Sequence, residues 1–304
     1  MSTSTRSTGP ARAGRTPQRP TGAATGAARR RPLTPGRVLL YVVLTVVSLV
    51  WLFPVVWAVY NSFRDYGYTA LNGYVSFGGF TLDNYARAWE QGGFGRYFLN
   101  TLVIVVPSVL ITLFLSSMVA FVLARFSWKL NIAMLVFFTA ANLLPQQALL
   151  IPLYRFFLAV DLYDTYWALI IVHVAFQMGF CTFVLSNYMK TLPKELTEAA
   201  FVDGASVLRQ YVQIILPLCR PPLAALATLQ VTWVYNDFFW AVAFLSTGDR
   251  FPVTSALANL QGQFFIDYNL LSAGSVIVAV PTLVVFFALQ RHFVSGLTLG
   301  ANKG

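Results

Sequence analysis

Six apolar runs divide this sequence, and each is long enough to cross a lipid bilayer as an α-helix, which takes about 20 residues. Hydrophobic residues make up 57% of the chain and charged residues 11%, whereas a soluble domain carries about 25% charged residues. Asp237 is the one acidic or basic residue well inside a run. The sequence therefore predicts an all-α, multi-pass integral membrane protein with six transmembrane helices, near residues 38–60, 101–124, 130–153, 166–188, 222–245 and 272–294.

The positions of the basic residues predict which side of the membrane each loop occupies. When the segments between runs are numbered alternately, one side holds 16 of the 21 Lys and Arg residues and the other side holds five. Because cytoplasmic loops carry the excess of Lys and Arg, we expect both termini in the cytoplasm. The net charge of +10 then reflects topology and contact with the lipid bilayer, and it does not indicate nucleic-acid binding.

The segments outside the runs predict the domain organisation. Residues 1–37 have too few large apolar side chains to offset the entropy of ordering, so we expect a disordered, basic cytoplasmic tail. A six-span domain follows over 38–294, with a long cytoplasmic loop at 189–220 between the fourth and fifth spans, and a short cytoplasmic tail at 295–304. The glycine-rich, aromatic external loop between residues 62 and 96 suits either a surface for a partner protein or a lid over the helices.

The long cytoplasmic loop carries local signals for two short helices. Pro193 is suited to the first turn of a helix, and the two glutamates that follow favour its N-terminal half electrostatically. Gly204 sits where a residue with positive φ would end that helix. Ser206 is placed to cap a second helix, which would stop at Leu216-Pro217.

The same loop contains a motif of fixed spacing: Glu-Ala-Ala, a glycine four residues later, and Ile-x-Leu-Pro after nine more residues. It resembles the EAA loop of the permease subunits of binding-protein-dependent ABC importers, where a transmembrane subunit takes mechanical force from a separate ATPase. An ordinary interfacial loop is the alternative, but the spacing and the predicted cytoplasmic side favour coupling. The resemblance implies that the ATPase-coupling residues are Glu198, Ala199, Ala200, Asp203, Gly204, Leu216 and Pro217.

Three further segments resemble the carbohydrate branch of these permeases, so the likeness covers most of residues 38–304. They are Pro145 with the Ile151–Tyr154 and Asp161–Thr165 sequences, Asn236–Trp240, and the C-terminal Gly296–Gly304. Two residues depart from that branch: Tyr235 stands where Trp commonly precedes Asn, and Ala241 stands where Pro commonly follows Trp. These departures weaken a residue-by-residue transfer of substrate contacts.

The family resemblance also implies partners. A second permease subunit, a dimer of cytoplasmic ABC ATPases and an extracytoplasmic solute-binding protein would complete an importer in the bacterial inner membrane. Because the sequence has no GxxxxGK[ST] phosphate loop, we expect a non-catalytic subunit with no bound cofactor, and ATP and magnesium held by the partner ATPase. The expected cycle is alternating access, in which ATPase closure pushes the cytoplasmic loop.

Polar side chains deep inside the predicted spans are candidates for the solute path. A sugar has hydroxyls that need donors and acceptors, and C–H faces that stack on aromatic rings, so amides beside aromatic residues would suit it. Asn and Gln in membrane helices also bind neighbouring helices together, and the one carboxylate could pair with the partner permease instead. The candidates are Asn142, Gln177, Tyr235, Asn236, Asp237 and Trp240.

Other functional classes have weaker support. An ion-coupled secondary carrier would need coupling carboxylates or broken helices near the midplane, and Asp237 is the one carboxylate available. A permease of the same kind for an amino acid or phosphate is opposed by the carbohydrate-like segments. A membrane-anchored enzyme would lack a soluble domain to hold its site. We therefore expect a permease for a sugar or oligosaccharide.

Overall fold

A computed structural model describes residues 34–126, 129–141, 144–261 and 266–298. Within these ranges the chain is mainly helical, with α1 (Pro35–Ser62), α2 (Tyr66–Asn72), α3 (Asp83–Gly92), α4 (Phe94–Arg125), α5 (Asn131–Ala141), α6 (Leu150–Ala159), α7 (Tyr166–Thr191), α8 (Glu195–Val202), α9 (Val207–Arg209), α10 (Leu216–Leu218), α11 (Arg220–Tyr235), α12 (Phe239–Phe244), α13 (Val253–Ala256) and α14 (Tyr268–Thr298). Single 3₁₀ turns occupy Gln146–Leu149, Gly248–Arg250 and Leu257–Leu260, and a π-helix occupies Gln210–Ile215.

Among the described residues, four helices are long and apolar enough to cross a membrane: α1, α4, α7 and α14. A fifth span is present if the stretch from Val207 to Leu218 and α11, bent by 74° at their junction, are taken together. The prediction of a helical, multi-pass membrane protein is thereby confirmed. The number six and the orientation of the termini stay predictions.

The predicted third span, near 130–153, is not one continuous helix in the described residues. α5 ends at Ala141, and the chain resumes its helical course in a 3₁₀ turn before α6. Pro145 lies directly ahead of that turn with an extended backbone, φ −63° and ψ 123°. Proline has no N–H to donate and disfavours helix at the residue before it, which explains the interruption.

The predicted fifth span, near 222–245, is not one continuous helix either: the chain breaks between α11 and α12. Two helices extend beyond their predicted spans. α4 begins at Phe94, ahead of the predicted span, and α14 continues to Thr298, into the predicted C-terminal tail. α1 begins at Pro35, a favourable first helical position for proline. The predicted disordered tail, residues 1–37, lies outside the described residues as far as residue 33, while residues 35–37 are the start of α1. Of the predicted C-terminal tail, residues 295–304, the part after residue 298 lies outside the described residues.

Two buried apolar clusters occupy opposite ends of the α4–α7 pair. The first includes Phe157, Leu169, Trp240 and Phe244, and joins α6, α7 and α12 with parts of α4, α11 and α14. The second includes Phe121, Cys181, Leu185, Met189, Tyr211 and Ile215, and joins α4 and α7 to the π-helix. The first cluster holds α12 against α6 and α7 beside the break after α11. The second cluster holds the π-helix against α4 and α7.

The loop between α1 and α4 is organised around a buried arginine. Arg64 is fully buried, and its guanidinium donates to the carbonyls of Tyr74 at 2.5 Å and Gly78 at 3.1 Å. It also lies over the rings of Tyr60 and Tyr68, with centroid distances of 5.1 and 5.6 Å. The predicted glycine-rich loop is therefore a folded unit that contains α2 and α3.

Candidate functional site

The break between α11 and α12 forms one side of the main cavity. The side-chain amide of Asn236, the residue after α11, donates to the carbonyl of Thr232 at 2.8 Å. The Asp237 carboxylate then accepts the backbone N–H groups of Trp240 and Ala241, at 3.3 and 3.2 Å. Asp237, two residues before α12, thus satisfies free N–H groups in the first turn of that helix.

The cavity at this break, called the central cavity here, has a volume of about 610 Å³, within the range of about 300–1,000 Å³ typical of small-molecule sites. Its polar lining consists of Gln146, His173, Gln177, Asn236 and Asp237. Its aromatic lining consists of Phe176, Phe180, Trp233, Phe238, Phe239 and Trp240. The arrangement offers hydrogen-bond donors, acceptors and ring faces to one solute.

Four of the predicted path residues meet in the central cavity: Gln177, Asn236, Asp237 and Trp240. Tyr235 does not line it. Its hydroxyl donates to the carbonyl of Val278 at 2.8 Å, and its buried ring joins α11 to α14. Asn142 lies outside the described residues.

His173 is a cavity residue that sequence reasoning did not select. It is 6% exposed, and its Nε2 lies 3.6 Å from Oδ2 of Asp237. Within the described residues this Nε2 has no hydrogen-bond partner. Residues four apart on a helix share a face, so the spacing of His173 and Gln177 on α7 was the signal that could have identified it.

A buried amide on α11 orients the Gln177 side chain. Gln230 is fully buried, and its Nε2 donates to Sγ of Cys181 at 3.0 Å and to Oε1 of Gln177 at 3.4 Å. With its oxygen engaged in this way, Gln177 keeps its NH₂ group for the cavity. The free thiol of Cys181 therefore serves as an acceptor inside the protein.

The second candidate region is the α8–α10 segment, residues 195–218. Gly204 follows α8 with φ +77°, a backbone conformation that glycine adopts at low cost, and the N–H of Ala205 donates to the carbonyl of Ala200 at 2.9 Å. The Ser206 hydroxyl accepts the N–H of Arg209 at 3.3 Å and caps α9. The predicted order of helix, glycine break and capped helix is confirmed, although a π-helix continues the second helix.

The predicted coupling residues differ in their exposure to solvent. Glu198, Ala199, Asp203 and Gly204 are exposed, Leu216 and Pro217 are half-buried, and Ala200 is buried against its own chain. The most exposed apolar side chains of this segment are Phe201 and Val202, at 74% and 84%. An apolar pair just before the glycine break was the sequence signal for this surface, which sequence reasoning missed.

The α8–α10 segment is tied to the long helices. The Tyr211 hydroxyl hydrogen-bonds to the Ser117 hydroxyl of α4 at 2.7 Å, and both residues are buried. At the other end of the segment, the Arg125 guanidinium of α4 donates to the carbonyl of Leu192 at 3.2 Å, just ahead of α8. The chain around α8–α10 is therefore connected to α4 at two separate places.

Comparison with known proteins gives the following matches. Residues 112–298 match the family described as the binding-protein-dependent transport system inner membrane component. The chain is 33% identical over 258 residues to a probable ABC transporter permease protein of Pyrococcus horikoshii, which covers 83% of this chain and 92% of that protein. It is 38% identical over 231 residues to the alpha-glucoside transport system permease protein AglG of Rhizobium meliloti. That match covers 74% of this chain and 61% of AglG.

A solved structure shares the fold. It is the crystal structure of a bacterial ABC transporter involved in the import of the acidic polysaccharide alginate, and its chain aligns with a TM-score of 0.74 at 20% sequence identity. The alignment covers 84% of this chain and 95% of that chain. The helical arrangement described above therefore exists in a known transporter.

Proposed function

Since the chain belongs to the family of binding-protein-dependent transport system inner membrane components, we propose that it forms half of the path through which an ATP-driven importer moves a sugar or oligosaccharide. The observation that carries the proposal is the central cavity at the α11–α12 break. Its residues come from α7, α11, α12 and the turn after α5, so movement between these helices would change access to it.

The chemistry of the central cavity suits a carbohydrate. Each buried hydroxyl of a solute needs a hydrogen-bond partner, and Gln177, Asn236 and Asp237 supply both donors and acceptors. The rings of Trp233 and Phe238, which line the cavity and are 43% and 53% exposed, offer faces for the C–H side of a sugar. AglG is named for alpha-glucoside transport, which supports a carbohydrate over an amino acid or phosphate.

The assembly that we propose follows from the family and from charge. We place six spans in the membrane, with the third span interrupted after α5 and the fifth after α11. The excess of Lys and Arg puts both termini and the α8–α10 segment in the cytoplasm of a bacterial cell, with the chain in its inner membrane. A second permease, an ATPase dimer that holds ATP and magnesium, and a solute-binding protein complete the importer, while this chain is non-catalytic and binds no cofactor.

The α8–α10 segment would receive the ATPase. Its exposed carboxylates, Glu198 and Asp203, suit basic side chains of a partner, and Phe201 and Val202 suit an apolar cleft. Ala199 and Gly204 leave room for close approach of a partner backbone, while Leu216 and Pro217 end the segment. The half-buried and buried residues, Ala200 among them, would hold the segment's shape rather than touch the ATPase.

Two experiments test the proposal. Purification of the tagged chain from mild-detergent membranes should recover a nucleotide-binding subunit and a second permease, identified by mass spectrometry. Uptake of labelled α-glucosides by proteoliposomes of that complex should require ATP, and Gln177→Ala should raise the apparent KM about tenfold, since a lost hydrogen bond to a buried polar group costs about 1–3 kcal/mol. The matched control is Asn72→Ala, an exposed amide on α2 that bonds only within its own helix.

One observation favours a second candidate, an ion-coupled carrier. Buried His173 and half-buried Asp237 lie 3.6 Å apart in the cavity, and pairs of His and Asp inside a membrane domain are the kind of site that proton-coupled carriers use. Collapse of the proton gradient with ATP preserved separates the two. Continued uptake supports the ATP-driven importer, and loss of uptake supports the carrier.

A further inference from the structure

A second cavity lies beside the residues that lead into α8. Its volume is about 320 Å³, and it is enclosed by the end of α4, the start of α5 and the end of α7. Three lining residues are cationic, namely Arg125, Lys190 and Lys194, and none of the lining residues is acidic. Its apolar wall includes Leu123, Ile132 and Leu135. The cavity is therefore amphipathic and strongly positive.

Arg125 has no acidic partner among the described residues around this cavity, hereafter the basic cavity. Its Nη1 donates to the carbonyls of Leu192 at 3.2 Å and Pro193 at 3.4 Å. Its Nε and Nη2 are buried and have no hydrogen-bond partner among the described residues. No carboxylate in the described part of the chain lies within 4 Å of Arg125, Lys190 or Lys194. Buried donors without acceptors are costly, so an anionic acceptor would stabilise this arrangement.

We propose that the basic cavity binds the phosphate group of an anionic phospholipid, with an acyl chain along Leu123, Ile132 and Leu135. A guanidinium donates two parallel hydrogen bonds to a phosphate, and two flanking ammonium groups add charge. Basic pockets between membrane helices on the cytoplasmic side bind acidic headgroups in this way. The position in the cytoplasmic leaflet rests on the topology proposed above, whereas the binding does not.

The basic cavity is connected to the start of α8. Arg125 holds the two carbonyls that precede this helix, and Lys194 is the residue directly before its first turn. A phosphate bound between Arg125 and Lys194 would fix this end of the α8–α10 segment to the membrane surface. The lipid would thus set the resting position of the surface that meets the ATPase.

Binding is tested on the purified full chain by native mass spectrometry, with phosphatidylglycerol and phosphatidylcholine of identical acyl chains. We expect phosphatidylglycerol to bind at least tenfold more tightly. The double variant Lys190→Gln/Lys194→Gln should bind phosphatidylglycerol about 25-fold more weakly, because each basic residue near the headgroups raises the affinity about fivefold. Both lysines are exposed, so this variant should fold even if Arg125→Gln does not. Arg209→Gln is the matched control, an exposed cation that donates to Gln213 and does not line the cavity.

Several results would overturn the lipid site. Equal affinity for phosphatidylcholine would mean that the cavity takes acyl chains alone. Displacement of phosphatidylglycerol by inorganic phosphate or glycerol phosphate at equal concentration would mean a site for a free anion. Equal losses in the double-lysine and Arg209→Gln variants would mean unspecific surface charge. Failure of ATP-dependent uptake with retained selectivity for phosphatidylglycerol would count against the importer and leave the lipid site standing.

Discussion

The central cavity and the α8–α10 segment are held in place by different kinds of interaction. In the cavity, Gln177 and Gln230 meet across 53 residues of sequence, and their neighbours are buried aromatic rings. In the α8–α10 segment, the Ser206 cap reaches 3 residues along the chain and the Gln210 side chain reaches 5, to the carbonyl of Ala205. The cavity depends on packing between distant helices, whereas the glycine break and the α9 cap of the segment depend on local bonds. Tyr211 and Ile215 join the segment to the buried cluster of α4 and α7.

The sharpest test of this contrast is removal of one large side chain from each region. Trp240 is 2% exposed and stacks on Phe244 with centroids 5.2 Å apart. Trp240→Ala should lower the free energy of unfolding by about 3–5 kcal/mol, measured by thermal unfolding in detergent. Phe201→Ala, at a position 74% exposed, should change it by less than about 0.5 kcal/mol. Similar losses in both variants would contradict the contrast.

A change of backbone preference tests the α8–α10 segment alone. A Cβ at Gly204 would meet no atom within 4 Å, so Gly204→Ala should act through its φ of +77°. The left-handed conformation costs a non-glycine residue about 1–2 kcal/mol, which should weaken binding of the ATPase about tenfold while the bundle stays folded.

The control for this change is Gly248→Ala, which also has open space and lacks a positive φ. Affinity for the ATPase, measured by co-purification at graded ATPase concentrations, should be unchanged in that variant. If Gly204→Ala unfolds the bundle, the segment is not an independent unit.

The Asp237 side chain in the cavity is open to a paired substitution. Asp237→Ala removes the acceptor of two N–H groups in the first turn of α12 and should cost about 1 kcal/mol of stability. Asp237→Asn keeps an acceptor oxygen, so stability should be retained, while the loss of charge beside His173 should lower uptake. Unchanged transport and assembly in Asp237→Asn would remove Asp237 from the solute path.

The smallest effect is expected at a group of polar contacts near the surface, called the Asp164 tie here. Like the contacts of the central cavity, it joins residues far apart in sequence. The Asp164 carboxylate accepts the N–H groups of Ser246 and Thr247, at 2.9 and 3.0 Å, and pairs with Arg250 at 3.0 Å. Burial raises the pKa of Asp164, but these hydrogen bonds and the nearby guanidinium outweigh it and hold the pKa below its usual value of 3.8.

The sign of the pH effect follows from this lowered pKa. The tie stabilises the fold above about pH 4 and is lost as the pH falls through the lower, folded-state pKa. Hydrogen exchange should show Ser246 and Thr247 amides protected at pH 5 and released in stronger acid. In Asp164→Asn the protection should be weaker and no longer depend on pH; an unchanged pH profile would contradict this account.

Local chemistry explains which parts of the α8–α10 segment were predictable. The glycine at 204 and the serine at 206 determine backbone and cap by contacts a few residues away, and the structure confirms both. Exposure was less predictable: Ala200 faces its own chain and Phe201 faces outward, because the position of the π-helix beneath α8 decides which side is covered.

The central cavity was predicted only as a set of candidates. Gln177, Asn236, Asp237 and Trp240 were selected for being polar or aromatic within apolar runs, and they converge. Tyr235 was selected with them and points to α14, since adjacent residues on a helix face different directions.

The sequence by itself determined that this chain is a helical membrane protein of the permease family, and that the chain turns at Gly204 and starts a capped helix at Ser206. Hydrophobicity and capping are properties of residues and their near neighbours, so they can be recognised from the sequence alone. The tertiary structure decided that α11 ends at a cavity, that His173 faces Asp237, and that Arg125 has no carboxylate within 4 Å among the described residues. Those facts depend on how helices far apart in sequence rotate and pack against each other, which no local pattern specifies.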